Sequence, residues 1–247
     1  MNAVGGAAGP LSEKLILALD VETSDEATRL VDLLRGKVGG FKVGLQLFTA
    51  NGPTVVKRIQ EKGENVFLDL KFHDIPNTVA HAVTEACKLG VSMVTLHASG
   101  GSDMMKAAAK AARNWNLKGN STRPILLAVT VLTSLSESIL GEELAIQRPL
   151  RDQVIHLAWM AQESGMDGVV ASPQEIREIR AACGRNFLIV TPGVRPSWAA
   201  AGDQKRIMTP KEAIEAGADY IVVGRPILAA PDPMMAASQV IAEIESA

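Results

Sequence analysis

Short apolar runs alternate with amphipathic stretches along almost the whole chain. The runs rich in aliphatic and β-branched residues predict strands at Lys14–Val21, Phe41–Phe48, Asn65–Phe72, Met93–Ala98, Pro124–Leu132, Gly168–Ser172, Phe187–Pro192 and Tyr220–Leu228. The stretches between them carry helical periodicity near 24–36, 52–62, 77–89, 102–114, 150–164, 174–183 and 210–217, and a last helix follows Pro233. Regular strand–helix alternation implies a parallel sheet covered by helices on both faces. Eight β and eight α units over 247 residues predict an α/β fold, a single (β/α)8 TIM barrel, over an open doubly wound sheet. A dinucleotide fold loses its main support, because Leu17-Ala18-Leu19-Asp20-Val21 stands where a Gly-x-Gly-x-x-Gly would follow the first strand. Residues 1–10 read as a flexible N-terminal tail and 11–247 as one catalytic barrel domain without an internal linker.

Composition narrows the function without naming it. The chain is 47% hydrophobic and 21% charged, enough apolar material for a sizeable core. Its net charge of -2 gives no pull toward nucleic acid or acidic membranes, and 4% aromatic residues offer no base-stacking platform. No stretch supplies the roughly 18 apolar residues of a membrane span. The tail lacks the basic and apolar regions of a signal peptide, so a cytoplasmic location is expected. Cys87 and Cys183 lie in apolar helical patterns and read as buried thiols of a reducing compartment. No His, Cys or carboxylate cluster has metal-binding spacing, and no metal or cofactor is expected.

The chemistry concentrates in Asp69-Leu-Lys71-Phe-His73-Asp74-Ile-Pro76-Asn-Thr78. Alternation along a strand puts Asp69 and Lys71 on one face and Val66, Leu68, Leu70 and Phe72 on the other. Charges are seldom buried without a partner or a purpose. Barrel sites form at the carboxyl ends of the strands, where Asp20, Lys42, Asp69, Lys71, His97, Thr133, Ser134, Arg195, Gly224 and Arg225 should converge. Flanking carboxylates favour the ammonium form of a lysine, which makes Lys71 a proton donor and electrostatic stabiliser and not a Schiff-base nucleophile. A salt-bridge network closing the barrel mouth is the plain alternative for the set Lys42, Asp69, Lys71 and Asp74. Asp74-Ile75-Pro76 reads equally as a helix start with an acidic capping residue.

A second constellation is of the phosphate-binding kind. Thr191-Pro-Gly193-Val-Arg195 ends the seventh strand, Gly202-Asp203-Gln204-Lys205-Arg206 lies in the aperiodic stretch 195–209, and Val223-Gly224-Arg225-Pro226 ends the eighth. Loops after strands seven and eight commonly grip phosphate in this architecture, and arginine offers a planar fork. Tight turns and a solvated arginine are the plain alternative. His73 reads as an edge or partner contact, His81 and His156 as surface or packing residues, and His97 as a core hydrogen-bonding group able to support the site. Gly100-Gly101-Ser102-Asp103 reads as a turn and helix start.

The motif Asp69-x-Lys71-x-x-Asp74-Ile-Pro-x-Thr78 resembles the signature of the orotidine 5'-monophosphate decarboxylase family. The similarity runs through Leu-Ala-Leu-Asp20, Phe-Lys42-Val-Gly, Leu-His97-Ala, Val-Leu-Thr133-Ser134, Thr-Pro-Gly-Val-Arg195, Gly-Asp-Gln204 and Val-Gly224-Arg225-Pro226, in order, and looks like the bacterial type. Sugar-phosphate decarboxylases and aldolases of the same suprafamily share the Asp-x-Lys-x-x-Asp core without the Ile-Pro-x-Thr continuation. The resemblance implies decarboxylation of orotidine 5'-phosphate to UMP and CO2 in de novo pyrimidine synthesis, without a cofactor. It implies that Lys71 protonates C6 within an array of Lys42, Asp69 and Asp74. Asp74 and Thr78 would come from the partner subunit of a homodimer. Asp20 and Lys42 would bind ribose, Thr133 and Ser134 the pyrimidine, and Gln204 and Arg225 the phosphate, with Arg195 near it. A metal-dependent sugar-phosphate lyase and a catalytically silent nucleotide-binding barrel are the competing readings.

Overall fold

The computed structural model describes residues 11–117, 122–199 and 208–247. The expected tail at 1–10 and the candidate Gln204 lie outside them. A 3-10 turn at Leu11–Lys14 leads into β1 (Leu15–Ala18), α1 (Ser24–Leu34), β2 (Gly40–Gly44), α2 (Leu45–Asn51) and α3 (Pro53–Gln60). There follow β3 (Val66–Phe72), α4 (Pro76–Lys88), β4 (Met93–His97), α5 (Ser102–Leu117) and β5 (Ile125–Val129). The second half runs α6 (Leu150–Glu163), β6 (Gly168–Val170), α7 (Ile176–Cys183), β7 (Leu188–Pro192) and α8 (Pro210–Ala216). It ends with β8 (Tyr220–Val223), α9 (Arg225–Leu228) and α10 (Pro233–Glu245). The eight strands are all parallel and close on themselves in sequence order, with β8 pairing back onto β1. The expected (β/α)8 barrel is what the chain forms.

Two apolar layers hold it. Outward residues such as Leu15, Leu17, Phe41, Val66 and Leu68 pack beneath the helices in the larger cluster. Inward residues, among them Ile16, Phe67, Met93, Leu127 and Val190, fill the barrel itself. The helices start where side chains satisfy their free amides. Thr23 Oγ1 accepts from Glu26 N at the head of α1, Thr209 and Glu212 form a capping box on α8, and Asp232 accepts from two amides of α10.

Two strand expectations ran too far. The run Phe41–Phe48 splits into β2 and α2 at Gly44, and Tyr220–Leu228 splits into β8 and α9 at Gly224. A continuous apolar run does not declare its period, so Gly44 and Gly224 were the main local signs of the two breaks, the second reinforced by Arg225-Pro226. The described residues therefore carry ten α-helices instead of eight, because β2 and β8 are each followed by two.

The amino-terminal end of the barrel repeats one device. Asp167, just before β6, takes both arms of Arg123 at 2.6 and 2.7 Å and the amide of Leu126 at 2.8 Å. Asp219, just before β8, takes Arg180 at 2.7 Å and the amide of Ile189 at 2.8 Å. Each carboxylate thus fastens the start of one strand to its neighbour, at the end of the barrel where residues serve stability. Among the described residues no helix is long and apolar enough to cross a membrane.

Candidate active site

At the opposite end, the carboxyl ends of the strands surround a cavity of about 310 Å³, within the range of small-molecule sites. Its polar wall comes from β1, β2 and β3, as Asp20, Lys42, Asp69 and Lys71. Arg195, Gly193, Gly224 and Arg225, at the ends of β7 and β8, form another wall. Val129, Val131, Val170, Ala171, Pro192 and Val222 line its apolar parts, and Leu132 and Thr133 sit at the edge.

The four charged side chains on the polar wall form a row of alternating sign. Asp20 Oδ1 meets Lys42 Nζ at 3.2 Å, Lys42 Nζ lies 3.6 Å from Asp69 Oδ2, and Lys71 Nζ donates to both oxygens of Asp69 at 2.9 Å. Asp69 is the hub. Burial pushes its carboxyl up, but Lys42, Lys71 and the hydrogen bonds from Lys71 and Thr95 outweigh that and hold it below the usual carboxylate range. The backbone gives way around this row. A Cβ on Gly44 would stand 3.0 Å from Lys42 Nζ, and one on Gly224 would stand 3.3 Å from Asp20 Oδ2. Glycine at both strand ends leaves that space to the charged groups.

Alternation correctly predicted which face of β3 carries the charges, yet β3 is not a regular strand. Its register with β4 runs from Leu68 opposite Val94 to Phe72 opposite Leu96, so β3 spends two more residues than its neighbour over that span. The extra length is taken up at Lys71, whose φ of 51° is left-handed. That conformation is costly for a residue with a side chain and recurs at functional sites. Its amide donates to Thr95 Oγ1 at 2.9 Å, and the same hydroxyl donates to Asp69 Oδ1 at 2.9 Å. Thr95 is fully buried. The sequence gives Thr95 no role of its own, since a hydroxyl 26 positions from Asp69 carries no local signal.

The remaining candidates fall into place unevenly. Thr133 edges the cavity, whereas Ser134 is exposed beside it and off its wall. Asp74 and Thr78 are exposed and also off the wall. The reading of Asp74 as a cap of the following helix does not hold. The N-cap of α4 is Ile75, no side chain caps it, and Asp74 Oδ1 accepts from the amide of Ile75 at 2.6 Å. Pro76 opens the helix as expected. Ile75 is 67% exposed. Arg195 is fixed at its backbone, where its amide donates to Met208 O at 2.9 Å across the neck of the long loop. His97 lies 5.4 Å from His73, ring to ring. Burial lowers the His97 imidazole below its ordinary range, helped by His73 and Lys71 and opposed by Asp69. His81 and His156 are exposed on α4 and α6. Gly101 closes a short 3-10 turn ahead of α5, as the turn reading required. Cys87 and Cys183 are buried, and burial pushes the Cys87 thiol up to about 11. No group of three His, Cys, Asp or Glu side chains able to hold a metal occurs among the described residues.

Similarity to known proteins agrees with this geometry. Residues 13–240 match the family model described as orotidine 5'-phosphate decarboxylase / HUMPS. The chain is 57% identical to the orotidine 5'-phosphate decarboxylase of Syntrophotalea carbinolica, over 95% of this chain and 96% of the relative. It is 54% identical to that of Moorella thermoacetica, over 94% and 92%. Among solved structures it resembles the orotidine 5'-phosphate decarboxylase of Lactobacillus acidophilus, with a TM-score of 0.82 and 41% identity over 93% of this chain and 98% of that one. The chain therefore belongs to the orotidine 5'-phosphate decarboxylase / HUMPS family, on its decarboxylase side, and is a carboxy-lyase.

Proposed function

We propose that the chain decarboxylates orotidine 5'-phosphate to UMP and CO2 without a cofactor, as a step of de novo pyrimidine synthesis, and that Lys71 delivers the proton to C6. The observation that carries this reading is the row Asp20, Lys42, Asp69, Lys71 along one wall of a cavity that two arginines, at the ends of β7 and β8, also line. Arg195 and Arg225, with Gln204, take the phosphate; Asp20 and Lys42 take the ribose hydroxyls; Thr133 meets the pyrimidine from the cavity wall, and Ser134, off that wall, would have to move inward to join it. The C6–carboxylate bond then breaks, CO2 departs, and the electron pair stays on C6 in the plane of the ring. The ring's π-system does not absorb that pair, so stabilisation has to come from a cation already in place. Lys71 supplies it: the ammonium is fixed by two bonds to Asp69 and needs no reorganisation as the charge develops. It passes one proton to C6, and the resulting amine regains a proton from solvent. Asp69 stands where the departing carboxylate begins, and repulsion there raises the bound substrate toward the transition state. Phosphate binding, remote from C6, contributes binding energy that appears in the rate.

The partner subunit completes the site in this reading. Asp74 and Thr78 follow β3 but lie exposed and away from their own cavity, beside the exposed Ile75. A homodimer that buries this segment places both residues at the neighbour's row of charges. The metal-dependent sugar-phosphate lyase reading has less behind it, because the curated relatives compared above bear the decarboxylase name. The test follows the loss of orotidylate absorbance with EDTA-treated protein. Undiminished turnover is expected. A folded sample without turnover overturns the function, and turnover abolished by EDTA and restored by a divalent metal overturns cofactor independence.

A further inference from the structure

We infer that Thr95 is a positioning residue of the reaction: one buried hydroxyl holds the left-handed backbone of Lys71 and the carboxylate of Asp69 at the same time, and so sets the distance between them. The inference rests on the proposed role of Lys71. The amide of Lys71 can only donate and the carboxylate of Asp69 can only accept, so the Thr95 hydroxyl has one permitted orientation. Its lone pair faces Lys71 N at 2.9 Å and its proton faces Asp69 Oδ1 at 2.9 Å. Lys71 Nζ closes the circuit on the same carboxylate. Lys71 is therefore tied to Asp69 twice, directly through its side chain and through Thr95 at its backbone.

The bulge explains why a side chain is needed here. Over the stretch where β3 outruns β4, Lys71 turns into the left-handed region and its amide is met by a side chain of β4. A buried amide without a partner is costly, and a strained φ persists only where its surroundings over-determine it. Thr95 supplies that constraint from the next strand. It is 0% exposed and is not on the cavity wall, so it does not touch substrate. Its position on β4, which is paired along its whole length with β5, gives the row of charges a rigid reference. The Thr95 γ-methyl is not the point of the residue; the hydroxyl is.

The experiment compares Thr95→Val, which keeps the shape and removes the hydroxyl, with Thr95→Ser, which keeps the hydroxyl. Both are measured for orotidylate turnover, UMP binding and thermal midpoint beside wild type and Lys71→Ala. Wild-type turnover together with an inactive Lys71→Ala establishes the reading on which the inference depends, so its failure is seen separately. In Thr95→Val, kcat should fall about 10–100-fold, the size of effect that misplacing a catalytic group by a fraction of an ångström produces, while UMP affinity stays within about threefold. Thr95→Ser should return kcat to within about threefold of wild type. If Thr95→Val does not fold, Thr95→Cys takes its place, with a weak thiol where the hydroxyl was and the same expected loss in kcat at retained UMP affinity. A kcat kept within about twofold in the hydroxyl-less variant, a Thr95→Ser as impaired as it, or a loss confined to KM overturns the inference.

Discussion

Lys71 grips both oxygens of Asp69, at 2.9 Å each, from only two positions further along the same strand. In a regular strand two same-face side chains stand side by side and their polar ends do not converge so closely. Here the left-handed turn at Lys71 brings the amine back onto its neighbour. The ion pair and the backbone distortion are one feature, and the cavity is built around it.

Lys71→Ala should lose at least about 10³-fold in kcat, since on the proposed mechanism it removes a proton donor and a preorganised cation together. UMP binding should survive, because the arginines lie on another wall. Single-turnover kinetics with a parallel binding titration measures both. Unchanged kcat removes Lys71 from the mechanism.

Subunit sharing has an arithmetic signature. Mixed Lys71→Ala and Asp74→Ala protein, each inactive alone, should recover roughly a quarter of wild-type activity after exchange, since half the dimers are mixed and each mixed dimer holds one intact site. No recovery despite demonstrated exchange places Asp74 in its own chain's site.

Two groups near the site make folding sensitive to acid in different windows. The His97 imidazole is lowered from its ordinary 6.5, so below that pH the unfolded chain takes up a proton that the folded chain declines. Stability is full above 6.5 and declines as pH falls toward the lowered value. Asp69 acts lower on the scale. Its contribution is full above 3.8 and is lost as pH falls through its depressed folded value. Denaturation midpoints taken from pH 8 to 5 should decline for wild type and flatten for His97→Gln; an unchanged slope removes His97 as the cause.

Asp167→Asn should cost about 1–3 kcal/mol of stability, by weakening a bidentate pair and a strand amide bond that are partly screened by solvent. Its kcat should match wild type, because Asp167 stands at the far end of the barrel. Urea unfolding and steady-state kinetics on the same preparation separate the two, and a kcat loss without destabilisation contradicts the assignment.

How much of this could be read from the sequence varies with the range of the interaction. Asp69 and Lys71 were legible because alternation needs only neighbours. Arg195, Gly224 and Arg225 were legible because the architecture fixes where strand ends meet. The hydroxyl of Thr95 was not, since its two bonds span 24 and 26 positions and depend on a bulge that no local pattern records. The helix Leu45–Asn51 was hidden inside an apolar run. Asp74 was ambiguous for a different reason: one carboxylate oxygen is met by the amide of its neighbour Ile75, and the role proposed for it needs a second protomer.

The left-handed residue in β3 also sets protein stability and activity against each other at one position. Glycine or asparagine adopts φ near 51° with far less strain than lysine. A library screened only for heat tolerance would therefore tend to replace the amine to which the proposed mechanism gives the proton transfer, and on that mechanism would return sturdier barrels without turnover. Selection for turnover must accompany selection for stability at Lys71, and engineering for robustness is better directed at the far rim of the barrel.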